Sequence, residues 1–384
     1  MRPGRPDLSL FPHALWAASV KRSLAAAAHS SLDYGDPAGL AVLREAVAGY
    51  VSRTRGVLAD PGAVVIASGF SHGLVLLCRA LRQSGVTTIA TEDPGLVHHR
   101  TLIHEAGLAT TPLAVGPDGA DPSSLSRAAP PDQSRAAPAT LSPAAPSAPA
   151  DPPQQAGAAL LTPAHQHPRG VVLSADRRKA FVDWAEERDG FVIEDDYDGE
   201  FRYDKQPVGA LQALAPDRVV FAGSTSKALA PGLRIGWLVL LERLRIPVLD
   251  AVAASGATVS APDQLALADL LHRGDYDRHV RRARATYQKR RAELSARLAE
   301  LTDVPLDGVP AGLHALLPLA SWQEERRLID AGLAAGVRLQ GLHAAGYWHS
   351  PERGGAGLII GYATPPQHAW RSALDVLTEV LKGA

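Results

Sequence analysis

The sequence predicts an α/β fold in which a mainly parallel sheet is sandwiched by helices. Short apolar runs alternate with helical patterns along most of the chain, the order that builds parallel sheets through crossover helices. One such run, Phe191-Val192-Ile193, ends in the carboxylates Glu194, Asp195 and Asp196. In open α/β sheets the carboxyl ends of central strands face the ligand crevice. The 384 residues are too many for one small core and predict two domains.

Residues 1–33 read as an arm and one helix. Leu40 to Arg53 carries apolar residues at 40, 43, 47 and 50–51, which is helical spacing. Residues 63–69 make a strand that runs into a tight turn, with a helix from His72. Val86 to Ala90 and Leu108 to Val115 are further strands, and Thr101 to Ala106 is helical between them. Strands follow at 158–162, 191–194, 219–222 and 235–241. Residues 264–298 give one long helical pattern, and its arginine cluster from Asp277 to Arg284 reads as a solvated face. The predicted organisation is an arm (1–33) packed with a small C-terminal α+β domain (275–384), and a large domain (34–274). Residues of about 126–157 depart from this pattern. Alanine and proline dominate there and aromatic residues are absent, so the segment reads as a flexible insertion without a catalytic role.

Bulk properties exclude several functions. Lysine plus arginine number 39 against 40 for aspartate plus glutamate, a net charge of −1. That is no electrostatic footprint for nucleic acid. Cys78, the one cysteine, lies in an apolar helical run, so no disulfide framework is expected. The N-terminus has prolines and charges in place of a signal segment, and no stretch approaches membrane-spanning length. The expected location is the cytoplasm, with no membrane partner. Among 14 histidines no pair has a clear ligand spacing with a carboxylate or cysteine. His98-His99 and His165-x-His167 are too close to define a site, and no metal is expected.

The most informative segment is Gly223-Ser224-Thr225-Ser226-Lys227, followed by Arg234. Apolar runs lead in and out of it. A lysine that forms a Schiff base must shed its proton, and burial near other cations helps it do so. Hydroxyls beside an arginine suit a phosphate. Lysine and phosphate cradle together are what pyridoxal 5′-phosphate requires. The same segment also reads as a loop lysine with a solvated head. A second run, residues 194–203, bears on the choice. The cofactor needs a carboxylate against its ring nitrogen and benefits from a phenol at its ring oxygen. Asp195 and Tyr197 can supply both. For Asp196, Asp198 and Glu200, a solvated acidic turn remains open.

With those residues in place, the chain resembles a fold type I pyridoxal-phosphate enzyme of the aminotransferase class I/II group. It is most similar to the aminotransferase-like domain of MocR-type regulators. The matching stretches are residues 2–12, Tyr34-Gly35-Asp36-Pro37-Ala38-Gly39 with Leu43-Arg44, 68–72, Glu92-Asp93-Pro94-Gly95, 162–170, 194–203 and the lysine loop. They occur in family order over most of the chain. The resemblance implies Lys227 as Schiff-base lysine and proton carrier, Asp195 at the ring nitrogen and Tyr197 near the ring oxygen. It also implies Ser224, Ser226 and Arg234 as phosphate ligands. The turn Ser68-Gly69-Phe70-Ser71 opens a helix, where backbone amides and the helix dipole suit phosphate. Tyr34 matches a tyrosine that reaches the phosphate of a neighbouring subunit, which implies a homodimer; it also reads as a plain turn residue.

Departures from the family limit the substrate. His167 stands before Pro168, where asparagine often touches the ring oxygen, with Gln166 beside it. Arg169 replaces a threonine. Leu96 replaces an aromatic that covers the ring, a place open to His98, His99 or Phe70. Ile359 occupies the position of the arginine that clamps a substrate carboxylate, leaving Arg5 and Arg169 as candidates. The expected function is a pyridoxal-phosphate enzyme acting on a small amino compound, most simply an aminotransferase. The alternatives are elimination, cyclisation or oxidation, or the effector domain of a MocR-type regulator. The chain starts where such a regulator's linker would end, so the expectation is either a stand-alone enzyme or a trimmed regulator.

Overall fold

A computed structural model describes residues 1–126, 155–203 and 208–383. The insertion expected at about 126–157 lies almost wholly outside the described residues. In chain order the elements are α1 (His13–Ala26), α2 (Ala41–Arg55), β1 (Val64–Ala67), α3 (Phe70–Gln83), β2 (Thr88–Asp93), α4 (Val97–Glu105), β3 (Ala109–Gly116) and β4 (Gly119–Ala120). Then come β5 (Ala158–Leu161), α5 (Ala175–Glu187), β6 (Phe191–Asp195), β7 (Val219–Ser224), β8 (Gly236–Val239), α6 (Glu242–Ser255), α7 (Ala261–His272) and α8 (Asp275–Ala299). The last are β9 (His314–Leu319), α9 (Trp322–Ala334), β10 (Gln340–Gly341), β11 (Ala356–Gly361) and α10 (Trp370–Lys382).

Eight strands form one sheet in the order β1-β8-β7-β6-β5-β2-β3-β4. Strands β7, β6, β5, β2 and β3 run parallel, whereas β8 is antiparallel to both its neighbours. Every residue of β5, β6 and β7 is buried, as expected of strands covered on both faces. Side chains alternate between two cores. Ile193 and Val220 pack with α3 and α6, while Val192 and Val219 pack with Phe181 and Ala185 of α5. Cys78 is buried within α3, and burial pushes its thiol up to about 12. A separate antiparallel sheet, in the order β10-β11-β9, packs with α9 and α10 through Leu317, Leu358, Ile360, Leu328 and Leu374.

The long helical pattern at 264–298 proves to be two helices. Gly274 takes φ +67° between α7 and α8, a conformation that glycine adopts without steric cost. The apolar period continues across the break, so periodicity alone joined them. The N-terminal residues run along β11 and α8. The Gly361 amide donates to the Met1 carbonyl (3.0 Å), and Asp7 forms a buried ion pair with Arg290 (2.8 Å). Ser19 ties α1 to α7 through the Ala266 carbonyl (2.8 Å). Among the described residues no helix is long and apolar enough to cross a membrane.

Candidate functional site

Lys227 lies in the excursion between β7 and β8. Ser224 pairs with Gly236 across the strands, and the Thr225 amide donates to the Ile235 carbonyl (3.0 Å). Ala228 and Leu229 are buried beneath the loop, and His279 of α8 contacts the Ala228 carbonyl (2.7 Å). The Lys227 Nζ donates to the Gly4 carbonyl at 2.6 Å. Burial lowers its pKa and Arg5 adds to that, against the opposing pull of Asp195 and Asp198.

Asp195 ends β6, where it pairs with Ala222 of β7. The parallel register therefore brings the carboxylate beside the lysine loop. Asp195 is 3% exposed, and its Oδ1 has no hydrogen-bond partner. Burial pushes its pKa well above the usual carboxylate range, Lys227 opposes that, and Asp196 and Asp198 add to it.

The rest of the acidic run corrects the expectation of a solvated turn. Asp196 is buried and receives two hydrogen bonds from Arg55 (2.7 and 2.9 Å). Asp198 is buried against His165 Nδ1 (2.9 Å). Glu200 accepts from Tyr50 (3.3 Å) and Tyr276 (3.4 Å). Buried charges persist only when paired, and the partners come from distant segments.

Tyr197 sits beside Asp195 with its hydroxyl 3.0 Å from His165 Nδ1. The donor atoms of His165, Asp198 and His314 all lie within 4.8 Å of one another. This convergence is not visible in the sequence, where His165 and His167 are too close to define a site. His167 extends the wall: its Nε2 is 3.0 Å from the Tyr347 hydroxyl, which also accepts from Gln340 (3.1 Å). Arg100 holds the Tyr347 turn by donating to the Tyr347 carbonyl (3.0 Å). Burial, with Lys227 and His165 nearby, drives the His167 pKa well below its ordinary value.

The turn before α3 faces Arg234. Gly69 has φ +78°, and a Cβ there would meet the Arg234 guanidinium at 3.4 Å. Arg234 itself has φ +54°. Gly69 caps α3 with no side-chain hydrogen bond, so the first-turn amides keep their donors. Ser224 is buried at the end of β7, and its Oγ accepts from the Ser226 amide (3.4 Å). Ser71 reaches His98 (3.2 Å), and the Phe70 ring packs against His99 with centroids 5.0 Å apart. Leu96 packs instead into an apolar cluster with Ile359, Leu316, Leu342 and Tyr347.

The two candidate arginines separate. Arg169 donates to Asp307 (2.7 Å) and to the Val115 carbonyl (2.7 Å). Arg5 is exposed next to Gly4 and lies close enough to Lys227 to depress its pKa. Tyr34 is not among the groups gathered around Lys227. It is 102% exposed and lines an open cavity of about 540 Å³ with residues 31–36 and 258–262.

Sequence reasoning also missed Glu92. It is buried and accepts from the Thr162 amide (3.1 Å) and hydroxyl (2.5 Å) and from Gln166 (3.3 Å). Burial raises its pKa to about 7, against those hydrogen bonds. A carboxyl raised on folding binds more protons in the folded state, so its contribution is lost as pH rises from the unfolded value to about 7. Wild-type stability relative to Glu92→Gln should therefore fall over that window in urea titrations. A difference independent of pH would refute the assignment.

The aminotransferase class I and II family matches residues 5–335. The chain is 34% identical over 339 residues to the uncharacterized HTH-type transcriptional regulator YhdI of Bacillus subtilis, covering 88% of this chain and 66% of that protein. It is 29% identical over 383 residues to the HTH-type pyridoxine biosynthesis transcriptional regulator PdxR of Corynebacterium glutamicum, covering 99% and 76%. The chain therefore spans about two thirds of the first relative's own length. An archaeal alanine:glyoxylate aminotransferase shares the fold, with a TM-score of 0.84 and 22% identity over 100% of this chain and 90% of that one.

Proposed function

Because the chain belongs to the aminotransferase class I and II family, we propose that it holds pyridoxal 5′-phosphate on Lys227 and acts on an amino acid or amine, most simply as an aminotransferase. The observation that carries this reading is the Asp195 Oδ1, buried beside Lys227 without a partner. A buried carboxylate oxygen is costly unless a cation meets it, and a protonated ring nitrogen is such a cation. When bound, the cofactor supplies an aldehyde that condenses with amines and a ring that withdraws electrons from the carbon next to the amine.

The remaining roles belong to the chain. Asp195 holds the ring nitrogen protonated. Tyr197 donates to the ring oxygen, with His167 beside it. Phe70 and Ser71 offer the first amides of α3 and a hydroxyl to the phosphate, and Ser224, Ser226 and Arg234 close around it. The expected amides of Ser68 and Gly69 are instead committed to His72 Nδ1 (3.0 Å) and the Ala67 carbonyl (2.7 Å). Lys227 Nζ, shifted toward its neutral form by burial, takes the proton from the substrate carbon. His99 and Phe70 lie where the ring would be covered. Tyr34 completes the site of a second subunit in a homodimer.

Ile359 is fully buried among apolar side chains and cannot receive a carboxylate. Arg169 is committed to Asp307. Arg5 is therefore the group proposed to meet an acidic substrate. An exposed pair of this kind is worth up to about 1 kcal/mol, so Arg5→Ala should raise KM roughly fivefold for a carboxylate-bearing amine and leave a neutral amine unchanged.

A second reading, an effector-binding half of a transcription regulator, is favoured by relatives named as regulators and by Ile359. A screen of amino acids and amines against the cofactor-loaded protein separates the two. Conversion of the cofactor to its amine form, with release of a carbonyl product, identifies an aminotransferase and its donor. A spectral change that reverses on dialysis without product identifies a sensor. No response from a protein that takes up no cofactor would sink both.

A further inference from the structure

We propose that His165 and Asp198 are positioning residues that fix the direction in which the Tyr197 hydroxyl donates. The proposal rests on the reading of Tyr197 as the donor to the cofactor's ring oxygen. His165 Nδ1 lies 3.0 Å from the Tyr197 hydroxyl and 2.9 Å from Asp198 Oδ2. The His165 and Asp198 side chains are 2% and 1% exposed, so water cannot arbitrate between them.

A ring nitrogen facing a buried carboxylate carries the proton, because a bare lone pair there would be repelled. Nδ1–H therefore donates to Asp198, and the same hydrogen is shared with the Tyr197 oxygen, which accepts. Two consequences follow from that tautomer. The carboxylate, which also lies within hydrogen-bond reach of the Tyr197 hydroxyl, is occupied by Nδ1–H and competes less for the phenol's proton. That proton is then left to point out of the cluster, toward the ring oxygen. Were Nδ1 unprotonated, Tyr197 would donate into the imidazole and the ring oxygen would lose its donor.

Packing holds the pair in place. A side chain at Gly312 would overlap both His165 and Asp198. The His314 ring on β9 lies 5.3 Å from the His165 ring, and the His167 ring meets Tyr197 edge-on at 5.9 Å. The titratable groups facing the pair, besides Tyr197, are His314, His167, Lys227, Asp195, Glu200, Tyr203 and Tyr362. Burial keeps the His167 and His314 imidazoles well below their ordinary pKa.

Two measurements test the pair. In the cofactor-free protein, the ¹⁵N spectrum of His165, identified by the signals lost in His165→Gln, should show the Nδ1–H form; an Nε2–H form overturns the proposal. In the loaded protein, the pH midpoint of the cofactor's absorbance change should rise by ~1 unit in Tyr197→Phe, the size expected on losing a hydrogen bond to a charged group. His165→Gln, which keeps the Asp198 charge and frees that carboxylate to take the phenol's proton, should raise it in the same direction, and the double variant with Tyr197→Phe should go no further. Additive shifts, or no shift in His165→Gln, overturn it. If the wild type takes up no cofactor, the reading of Lys227 falls instead, and the ¹⁵N spectrum still decides the pair.

Discussion

Lys227→Ala is expected to lower amine turnover by roughly 10²–10⁴-fold, the range of a positioned general base, and to abolish covalent attachment of pyridoxal phosphate. After borohydride reduction, mass spectrometry should find a pyridoxyl group on the Lys227 peptide of the wild type and nowhere in the variant. The size of the effect follows from the surroundings. Nζ donates a hydrogen bond to the Gly4 carbonyl, and burial lowers its pKa, which favours the neutral amine. A label that persists in Lys227→Ala would place the reactive amine elsewhere. Stability should change little, because the lysine's hydrogen bond among the described residues is to a backbone carbonyl.

Asp195→Asn should have opposite effects on two equilibria. A hydrogen bond to a charged group is worth about 1.5–3 kcal/mol, so loss of the carboxylate should weaken cofactor binding roughly 10- to 100-fold. The cofactor-free protein should gain stability, because it no longer buries an unpartnered carboxylate oxygen. The gain has a pH signature. The Asp195 pKa is raised on folding, first by burial, so the wild type loses stability as pH rises above the unfolded carboxylate value, and the advantage of asparagine grows with pH. Cofactor titration and urea unfolding of the apo-protein at low and neutral pH measure both. A variant that destabilised the apo-protein would mark Asp195 as a structural residue.

The sheet was legible because its strands are continuous apolar runs. Residues 191–194, 219–222 and 158–162 fall within two residues of β6, β7 and β5. The convergence of Asp195 with Lys227 was legible for the same reason: both lie at the ends of adjacent strands. What was not legible depends on partners distant in sequence. Arg55 neutralises Asp196 from α2, so an acidic run that reads as solvated is in fact buried. His314 and Tyr347 reach the site from beyond residue 310 in segments with no motif. Arg169 looked available until Asp307 claimed it. The break at Gly274 is set by a backbone angle that an uninterrupted apolar period conceals.

The antiparallel strand β8 has one further consequence. Lys227 and Arg234 belong to a single loop whose ends are stapled by the Ser224–Gly236 pair and the Thr225–Ile235 hydrogen bond. The entropy of bringing an amine and a guanidinium together is therefore spent once, when the hairpin zips, and not again at each encounter with a ligand. The spacing between them behaves as a fixed ruler, and any ligand that uses both must fit the length the hairpin sets.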